Sequence, residues 1–212
     1  VALALYGKRT VIIDADLQFG DVTVLLDLDA KDTIYELSRE RGEMSIDVAK
    51  SMLTLHSSGL EVLAAPKSPE LAEYINDKTM ELIINTLRPY YEYVIIDLPP
   101  GFNDTTIAVI ENSDVVNLVA NVDIISLRNA KLCLSIMDAL RQREKVSLIL
   151  NRSGDGIISK KDFETVLGME TGLCLPDDTK TVLSSLNKGV PFVMGVPKSA
   201  VAKNIKAYAA GL

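Results

Sequence analysis

The 212-residue sequence has no tryptophan, one histidine and two cysteines, and these scarcities limit its chemistry. Any histidine-based triad or metal site would have to use His56, which is followed by two serines and is predicted to lie at the surface. Cys133 and Cys174 lack metal-binding spacing and are too few for a disulfide framework. We therefore interpret both as reduced core residues of a cytoplasmic protein.

Basic residues and long apolar runs are also scarce. The chain has 22 lysines and arginines against 29 acidic residues, which gives a net charge of −7. Passive binding to nucleic acid phosphates needs a basic surface, so nucleic acid is not an expected partner. No apolar run approaches the roughly 20 residues that span a bilayer.

Aliphatic residues are abundant, since 48% of the chain is apolar and only 5% is aromatic. A core of Ile, Val, Leu and Ala is typical of parallel sheets covered on both faces. Strand and helix patterns alternate, which predicts an α/β fold with a doubly wound, mostly parallel sheet and helices on both faces. No linker or repeat is visible, so residues 1–212 are predicted to form a single domain. Strands are predicted at 11–13, 60–65, 93–96, 115–120, 146–150 and 173–175, and helices at 34–39, 45–55, 77–87, 104–112, 126–143, 160–167, 179–186 and 200–210.

Two of the predicted strands end in acidic residues. The first runs into Asp14 with Asp16 close behind, and the second runs into Asp97. In open α/β sheets ligands bind beyond the carboxyl ends of strands, where such carboxylates can hold a cation or orient a water. The second strand also matches the Walker-B pattern, whose Asp holds Mg²⁺ beside a nucleoside triphosphate. The alternative is a solvated turn, because Asp is common in turns.

Four segments carry a resemblance to a known family: GKRTVIIDADLQFGDV, YEYVIIDLPPG, LNR at 150–152 and LPDDTKTVLSSLNKGVPFV at 175–193. Together they resemble the MinD/ParA group of deviant-Walker P-loop ATPases over nearly the whole chain. DLQFGDV, followed by LEVLAAPKSPELAEY, is most similar to the CpaE/TadZ branch, which positions and supports the assembly of Flp/Tad-type pili. The resemblance implies a SIMIBI-like P-loop NTPase fold, ATP or ADP with Mg²⁺ as cofactors, and a homodimer.

The same resemblance implies roles for the strand-end acids. Asp16 would orient or activate the attacking water, Asp14 would lie in the second shell of Mg²⁺, and Asp97 would be the Walker-B acid. These roles are physically reasonable, because carboxylates beside a cation stay ionised and can hold its water shell.

Four further residues would hold the adenine base. By resemblance, Asn151 would hydrogen-bond the adenine edge, Arg152 would lie on the ring, and Pro176 and Asp177 would close its other side. An Asn side chain can both donate to and accept from adenine. Alternatively, Asn151 is only a turn residue at the end of a strand. Pro176 and Asp177 would then only begin a helix, with Asp177 as an acid near its N-terminus.

The sequence departs from the family in the loop that binds the phosphates. The Gly-rich loop ending in Gly-Lys-Ser/Thr, whose N–H groups cradle phosphates and whose Lys neutralises them, does not occur in these residues. Residues 1–7 are predicted to be the tail of a helix closed by Gly7, so Gly7 and Lys8 cannot replace that loop. We expect the protein to extend upstream of Val1 with the loop and a central strand. The 212 residues alone are not expected to hold ATP in the family's manner.

The leading hypothesis is an ATP-dependent, dimerising ATPase that acts in the localisation and assembly of Flp/Tad-type pilus machinery. Its partners would be pilus-assembly or polar membrane-associated proteins, with peripheral association at the inner face of the membrane. The alternatives are a non-hydrolysing localisation scaffold of the same fold, a MinD-like septum-site ATPase and a ParA-like partitioning ATPase. The C-terminal segment, with Lys198, Lys203 and Lys206, is predicted to pack on the domain rather than lie on a membrane.

Overall fold

The computed structural model describes residues 1–40, 44–154 and 158–212, in which helices alternate with mostly parallel strands. The predicted α/β class is confirmed. The chain divides into two compact units, Val1–Asn112 with Ser185–Pro191, and Ser113–Ser184 with Phe192–Leu212.

The strands are β1 Thr10–Asp14, β2 Thr54–Leu55, β3 Glu61–Leu63, β4 Tyr93–Asp97, β5 Val116–Asn121, β6 Val146–Ser153 and β7 Thr171–Pro176. The α-helices are α1 Ala2–Leu5, α2 Val22–Leu25, α3 Ile34–Ser38, α4 Ile46–Ser51, α5 Asp77–Leu87, α6 Asp104–Asn112, α7 Ile124–Ala139, α8 Lys160–Leu167, α9 Thr179–Leu186, α10 Phe192–Gly195 and α11 Ala200–Gly211. Short 3-10 helices cover Pro69–Tyr74, Arg88–Tyr90 and Arg143–Lys145.

The first unit is built on a four-stranded sheet in the order β2-β3-β1-β4. Strand β1 runs parallel to β3 and β4, while the two-residue β2 pairs antiparallel with β3. The β-branched residues Val11 and Ile13 of β1 are fully buried in its core. Because β1 and β4 are parallel, their carboxyl ends meet at one edge of the sheet.

Two helices of this unit begin at capping residues. Thr33 and Glu36 form a capping box at the start of α3, in which the Thr33 hydroxyl accepts from the Tyr35 N–H at 3.1 Å and the Glu36 carboxylate accepts from the Thr33 N–H at 2.9 Å. Asn76 caps α5 through the Thr79 N–H. Helix α5 buries a stripe with the spacing of an amphipathic helix, Met80, Ile83, Ile84 and Leu87.

The second unit is built on a parallel three-stranded sheet in the order β5-β6-β7. Its core contains Leu148 and Phe163, and Leu134 of α7 packs among them. The C-terminal helix α11 packs against β7. Its Asn204 side chain donates to the Cys174 carbonyl at 3.0 Å. The prediction that the C-terminal segment packs on the domain is therefore confirmed.

Each sheet ends in an apolar strand that is partly exposed. In the first unit β4 is an outer strand, and Ile95 on it is 39% exposed. In the second unit β5 is an outer strand, and Val119 is 59% exposed. An outer strand presents backbone N–H and C=O groups that another strand can pair with.

Several local predictions are corrected. The predicted helix over 45–55 ends at Ser51, because the chain then forms β2, where Thr54 pairs with Val62 of β3. Helix α7 ends at Ala139 rather than at residue 143, and Arg141 adopts a left-handed backbone with φ of 58°. His56 is buried at 6% exposure, against the prediction of a surface position. Its Nδ1 lies 2.7 Å from the Ser58 hydroxyl, and burial lowers its pKa.

Cys133 and Cys174 are free and half-buried. Within the described ranges, no helix is long and apolar enough to cross a membrane. The single-domain organisation over 1–212 stays a prediction.

Candidate functional site

The strand-end acids come together in the first unit. The register of β1 and β4 sets Asp14 directly opposite Asp97, and the Ala15 N–H donates to the Asp97 carbonyl at 2.9 Å. Burial is the main cause that raises the pKa of Asp14 and of Asp97, and the nearby negative charge of Asp16 raises both further. The structure thus assembles the three acids that the sequence singled out.

Asp14 is the buried member, with 1% of its surface exposed. Its Oδ2 accepts from the Val22 N–H at 3.1 Å, whereas its Oδ1 is buried and has no hydrogen-bond partner in the described part of the chain. Burial raises the pKa of Asp14 to about 6, and the Asp97 charge adds to the rise while the Val22 hydrogen bond opposes it. A buried carboxylate oxygen without a donor is costly, so this atom suits the hydration shell of a cation.

Gly20 closes over Asp14, a contact that the sequence pattern did not predict. A Cβ at position 20 would lie 2.5 Å from Oδ2 and 2.7 Å from Cγ of Asp14, and would also overlap the Cβ of Ala65. Only glycine fits there, because its backbone packs directly on the carboxylate. The one sequence signal was a glycine inside the acidic loop, between Asp16 and Asp21.

Asp16 and Asp97 are more exposed to solvent than Asp14. Asp16 is partly exposed, and its Oδ1 accepts from the Phe19 N–H at 3.2 Å, which fixes the turn that follows β1. Asp97 is exposed, yet partial loss of hydration raises its pKa, and the charges of Asp16 and Asp21 raise it further. Across the described ranges no lysine or arginine forms an ion pair with Asp14, Asp16 or Asp97. Among the described residues, therefore, no basic side chain compensates their negative charge.

The predicted adenine-side residues come together in the second unit, at the carboxyl ends of β6 and β7. Ser153 pairs with Pro176 across these strands, and the Asp177 N–H donates to the Ser153 carbonyl at 3.0 Å. Asn151 donates to the Asn121 side chain at 3.4 Å.

Arg152 has a left-handed backbone with φ of 52° and is exposed. A non-glycine residue in this conformation costs free energy, and such strain occurs often at functional sites.

The donor set of the first unit fits one kind of metal. Mg²⁺ takes oxygen ligands and is usually held by one or two carboxylates, several waters and substrate phosphates. Asp14 and Asp97 supply two carboxylates side by side. Among the residues described, no group of three or more His, Cys, Asp or Glu side chains could hold a metal ion. Two carboxylates are the usual protein share of a Mg²⁺ site, in which waters and phosphates supply the other ligands.

Comparison with known proteins decides the family. Residues 1–150, more than half of the chain, match the family model AAA_31, described as an AAA domain. The chain belongs to this AAA domain family. It is 28% identical over 199 residues to the septum site-determining protein MinD of Synechocystis, a match that spans 91% of this chain and 73% of the relative. It is 25% identical to MinD of Helicobacter pylori, over 95% of this chain and 79% of that protein.

Solved structures agree on the fold. The ParA family ATPase of Chlorobium tepidum superimposes with a TM-score of 0.89 at 23% identity, over 99% of this chain and 88% of that one. MinD of Pyrococcus horikoshii, solved in complex with Mg-ADP, gives a TM-score of 0.83 at 18% identity, over 99% and 85%. The family model places the chain in the AAA domain family, and the solved structures show that it has the MinD/ParA fold. The closer resemblance to the CpaE/TadZ branch stays a prediction.

Proposed function

We propose that this protein is a MinD/ParA-type ATPase that binds Mg-ATP at the carboxyl ends of β1 and β4 and dimerises when ATP is bound. The observation that supports this most is the register that sets Asp14 opposite Asp97, with Asp16 two residues further on. Each acid would then have its own role: Asp97 would hold the water shell of Mg²⁺, Asp14 would support that shell from its buried position, and Asp16 would orient the attacking water.

The burial or exposure of each acid fits the role that we propose for it. Asp14 is buried, has an unpaired Oδ1 and would become fully ionised beside a divalent cation, which favours the charged form. Asp16 is partly exposed, so a water can reach it. Positioning of the nucleophile by a side chain, an Asp for a substrate hydroxyl or a Gln for a water, is an established element of phosphoryl transfer.

We further propose that the carboxyl ends of β6 and β7 bind the adenine base. Asn151 would hydrogen-bond the base edge and the Arg152 guanidinium would lie on the ring, while Pro176 and the Asp177 backbone would close the other side. The strained backbone of Arg152 and the exposure of its side chain support this role.

The phosphate-binding loop is proposed to come from residues outside the printed sequence, which has no Gly-Lys-Ser/Thr. The outer position of β4 and the exposure of Ile95 support an added parallel strand beside β4 that would carry the loop. Residues 1–8 offer no replacement, because the Gly7 N–H closes α1 on the Ala4 carbonyl at 2.9 Å.

Two cellular roles are supported by different observations. The DLQFGDV and LEVLAAPKSPELAEY segments favour localisation and assembly of Flp/Tad-type pilus machinery, with pilus-assembly or polar membrane-associated proteins as partners. The relatives from Synechocystis and Helicobacter pylori are septum site-determining proteins, which favours a MinD-like role in division. An in-frame deletion in the native organism separates the two: loss of surface pili with normal septa supports the first, and misplaced septa with normal pili support the second.

The ATPase itself is tested on the product of the complete gene. We expect Mg²⁺-dependent ATP hydrolysis and an increase from monomer to dimer mass on addition of ATP. A dimer that forms with ATP but shows no turnover would favour the non-hydrolysing scaffold. No binding of ATP would overturn the proposal.

A further inference from the structure

A segment from late in the chain, residues 185–191, belongs to the unit that carries the strand-end acids. That unit consists of Val1–Asn112 and this return segment. The return segment begins in the last turn of α9 and then forms a tight turn, in which the Gly189 N–H donates to the Leu186 carbonyl at 3.2 Å. A part of the protein that is distant in sequence therefore contributes to the structure around the acids.

The return segment contacts the rest of this unit through Gly189, which packs on Asp27. A Cβ at position 189 would lie 2.6 Å from the Asp27 Cβ and 3.3 Å from its Cα and its backbone nitrogen. The backbone of Gly189 is also left-handed, with φ of 59°, a conformation that favours glycine. A side chain at position 189 would therefore force Asp27 or the return segment to move.

Asp27 closes the C-terminal end of α2. It directly follows the C-cap Leu26 and has a left-handed backbone with φ of 51°. In this conformation the chain turns so that the Leu28 N–H donates to the Thr23 carbonyl at 2.9 Å. A non-glycine residue persists in this conformation only where surrounding contacts hold it, and Gly189 supplies such a contact.

The N-terminal end of α2 holds the Asp14 carboxylate. The buried Val22 is the first residue of the helix, and its N–H donates to Asp14 Oδ2 at 3.1 Å. Helix α2 has a single turn, and so short a helix has little stability of its own. Contacts at its two ends must therefore fix where the Val22 N–H lies.

We propose that Asp27 and Gly189 are positioning residues for the acid site. Their contact fixes the end of α2, and α2 in turn holds the Asp14 carboxylate through the Val22 N–H. The consequence for Mg²⁺ rests on the proposed function, in which Asp14 supports the water shell of the cation. The consequence for the Val22 hydrogen bond does not rest on it.

Two glycine variants separate this contact from the cost of the backbone conformation. Gly189→Ala places a Cβ against Asp27, so α2 must shift. Gly168→Ala is the matched control, because Gly168 has nearly the same left-handed backbone, with φ of 62°, and a Cβ there meets nothing within 4 Å. Both variants strain the backbone to a similar degree, and only Gly189→Ala disturbs the contact.

The first measurement is hydrogen exchange of the Val22 amide in the complete gene product without nucleotide, followed by ¹⁵N NMR. The amide of Ile12 in β1 serves as the internal reference for opening of the whole unit. We expect Val22 to exchange at least about tenfold faster relative to Ile12 in Gly189→Ala, because a hydrogen bond to a charged group is weakened. Gly168→Ala should leave this ratio unchanged.

The second measurement is ATP affinity in the same proteins, with Mg²⁺ and with EDTA. In Gly189→Ala the affinity in EDTA should stay as in the wild type, while the factor by which Mg²⁺ strengthens binding should fall about tenfold. Gly168→Ala should keep the full factor. A variant that is merely less stable would not change the affinity with Mg²⁺ alone.

A second substitution at the contact should rescue Gly189→Ala. Asp27→Gly removes the Cβ that the new methyl group meets at 2.6 Å, and glycine suits the φ of 51°. The double variant Asp27→Gly/Gly189→Ala should therefore recover most of the Val22 protection and most of the Mg²⁺ factor. Asp27→Gly alone is the reference for this comparison.

Three results would overturn the positioning role. The first is equal Val22 exchange in Gly189→Ala and Gly168→Ala. The second is the absence of any rescue in the double variant. The third is faster Val22 exchange in Gly189→Ala with the same Mg²⁺ factor as in the wild type. If Mg²⁺ fails to strengthen ATP binding in the wild type itself, the proposed function fails, and the Val22 exchange alone then decides whether the contact positions α2.

Discussion

Gly20 lies directly on the Asp14 carboxylate, so close that a Cβ at position 20 would be 2.5 Å from Asp14 Oδ2. The loop that carries Asp16 is thereby packed against the acid that ends β1. Burial raises the pKa of Asp14 to about 6, and the close approach of the Gly20 backbone is part of that burial.

The substitution Gly20→Ala should destabilise the protein. The added methyl group overlaps both the Asp14 carboxylate and Ala65, so the loop must move, and overpacking of this kind costs about 1–3 kcal/mol. Urea denaturation measures the free energy of unfolding. Gly211→Ala is the control, because a Cβ there meets nothing within 4 Å. Equal stability of the two variants would contradict the proposed contact.

Asp14 should make stability depend on pH. Its pKa rises from an ordinary value of 3.8 to about 6 in the folded protein, so the folded state binds this proton more tightly than the unfolded chain does. Stability is then greatest below the unfolded value and falls as the pH rises through about 6, by about 3 kcal/mol in total.

The variant Asp14→Asn cannot ionise at this position. Its free energy of unfolding should therefore fall less than that of the wild type as the pH rises. Urea denaturation of wild type and variant at a series of pH values between the two pKa values and above them, without Mg²⁺, measures the difference. Asp97 contributes a slope of the same sign, because its pKa is also raised, so the variant retains a smaller slope. Parallel pH profiles for the two proteins would show that Asp14 titrates normally.

In the product of the complete gene, Asp16→Ala should reduce ATP turnover by about a hundredfold or more and leave ATP binding in place, because the side chain acts on the water and not on the nucleotide. Steady-state phosphate release and equilibrium binding measure the two properties. Asp29→Ala, at an exposed position, is the control and should turn over normally. Unchanged turnover in Asp16→Ala would remove this residue from the mechanism.

Asn151→Ala should weaken ATP binding about tenfold and reduce the preference for ATP over GTP, because a hydrogen bond to the base edge is worth about 1–1.5 kcal/mol. Competition of ATP and GTP against a fluorescent ATP analogue measures both effects. Asn187→Ala, another exposed Asn→Ala change, should leave the affinity unaltered. An unaltered preference in Asn151→Ala would place the base elsewhere.

The parts of the fold that depend on short-range patterns were predictable. The β-branched runs that end in Asp14 and Asp97 predicted two parallel strands with their acids at one edge, and their register confirms it. The predicted helix over 34–39 begins at Ile34 as α3 does, and the predicted helix over 77–87 has the bounds of α5.

The parts that depend on distant contacts were not predictable. The chain forms β2 only because Thr54 pairs with Val62, and His56 is buried although its polar neighbours suggested a surface turn. The packing of Gly20 on Ala65 joins residues that are far apart in sequence, so no local pattern shows it.

The central claim is that the carboxylates at the ends of β1 and β4 hold Mg²⁺ with its nucleotide. Calorimetric titration of ATP into the complete gene product, with Mg²⁺ and with EDTA, tests it most directly in wild type and in Asp97→Asn. We expect Mg²⁺ to strengthen ATP binding in the wild type and to have little effect in the variant, because the variant has lost a charge that holds the cation's water shell. An equal Mg²⁺ effect in both proteins would contradict the claim.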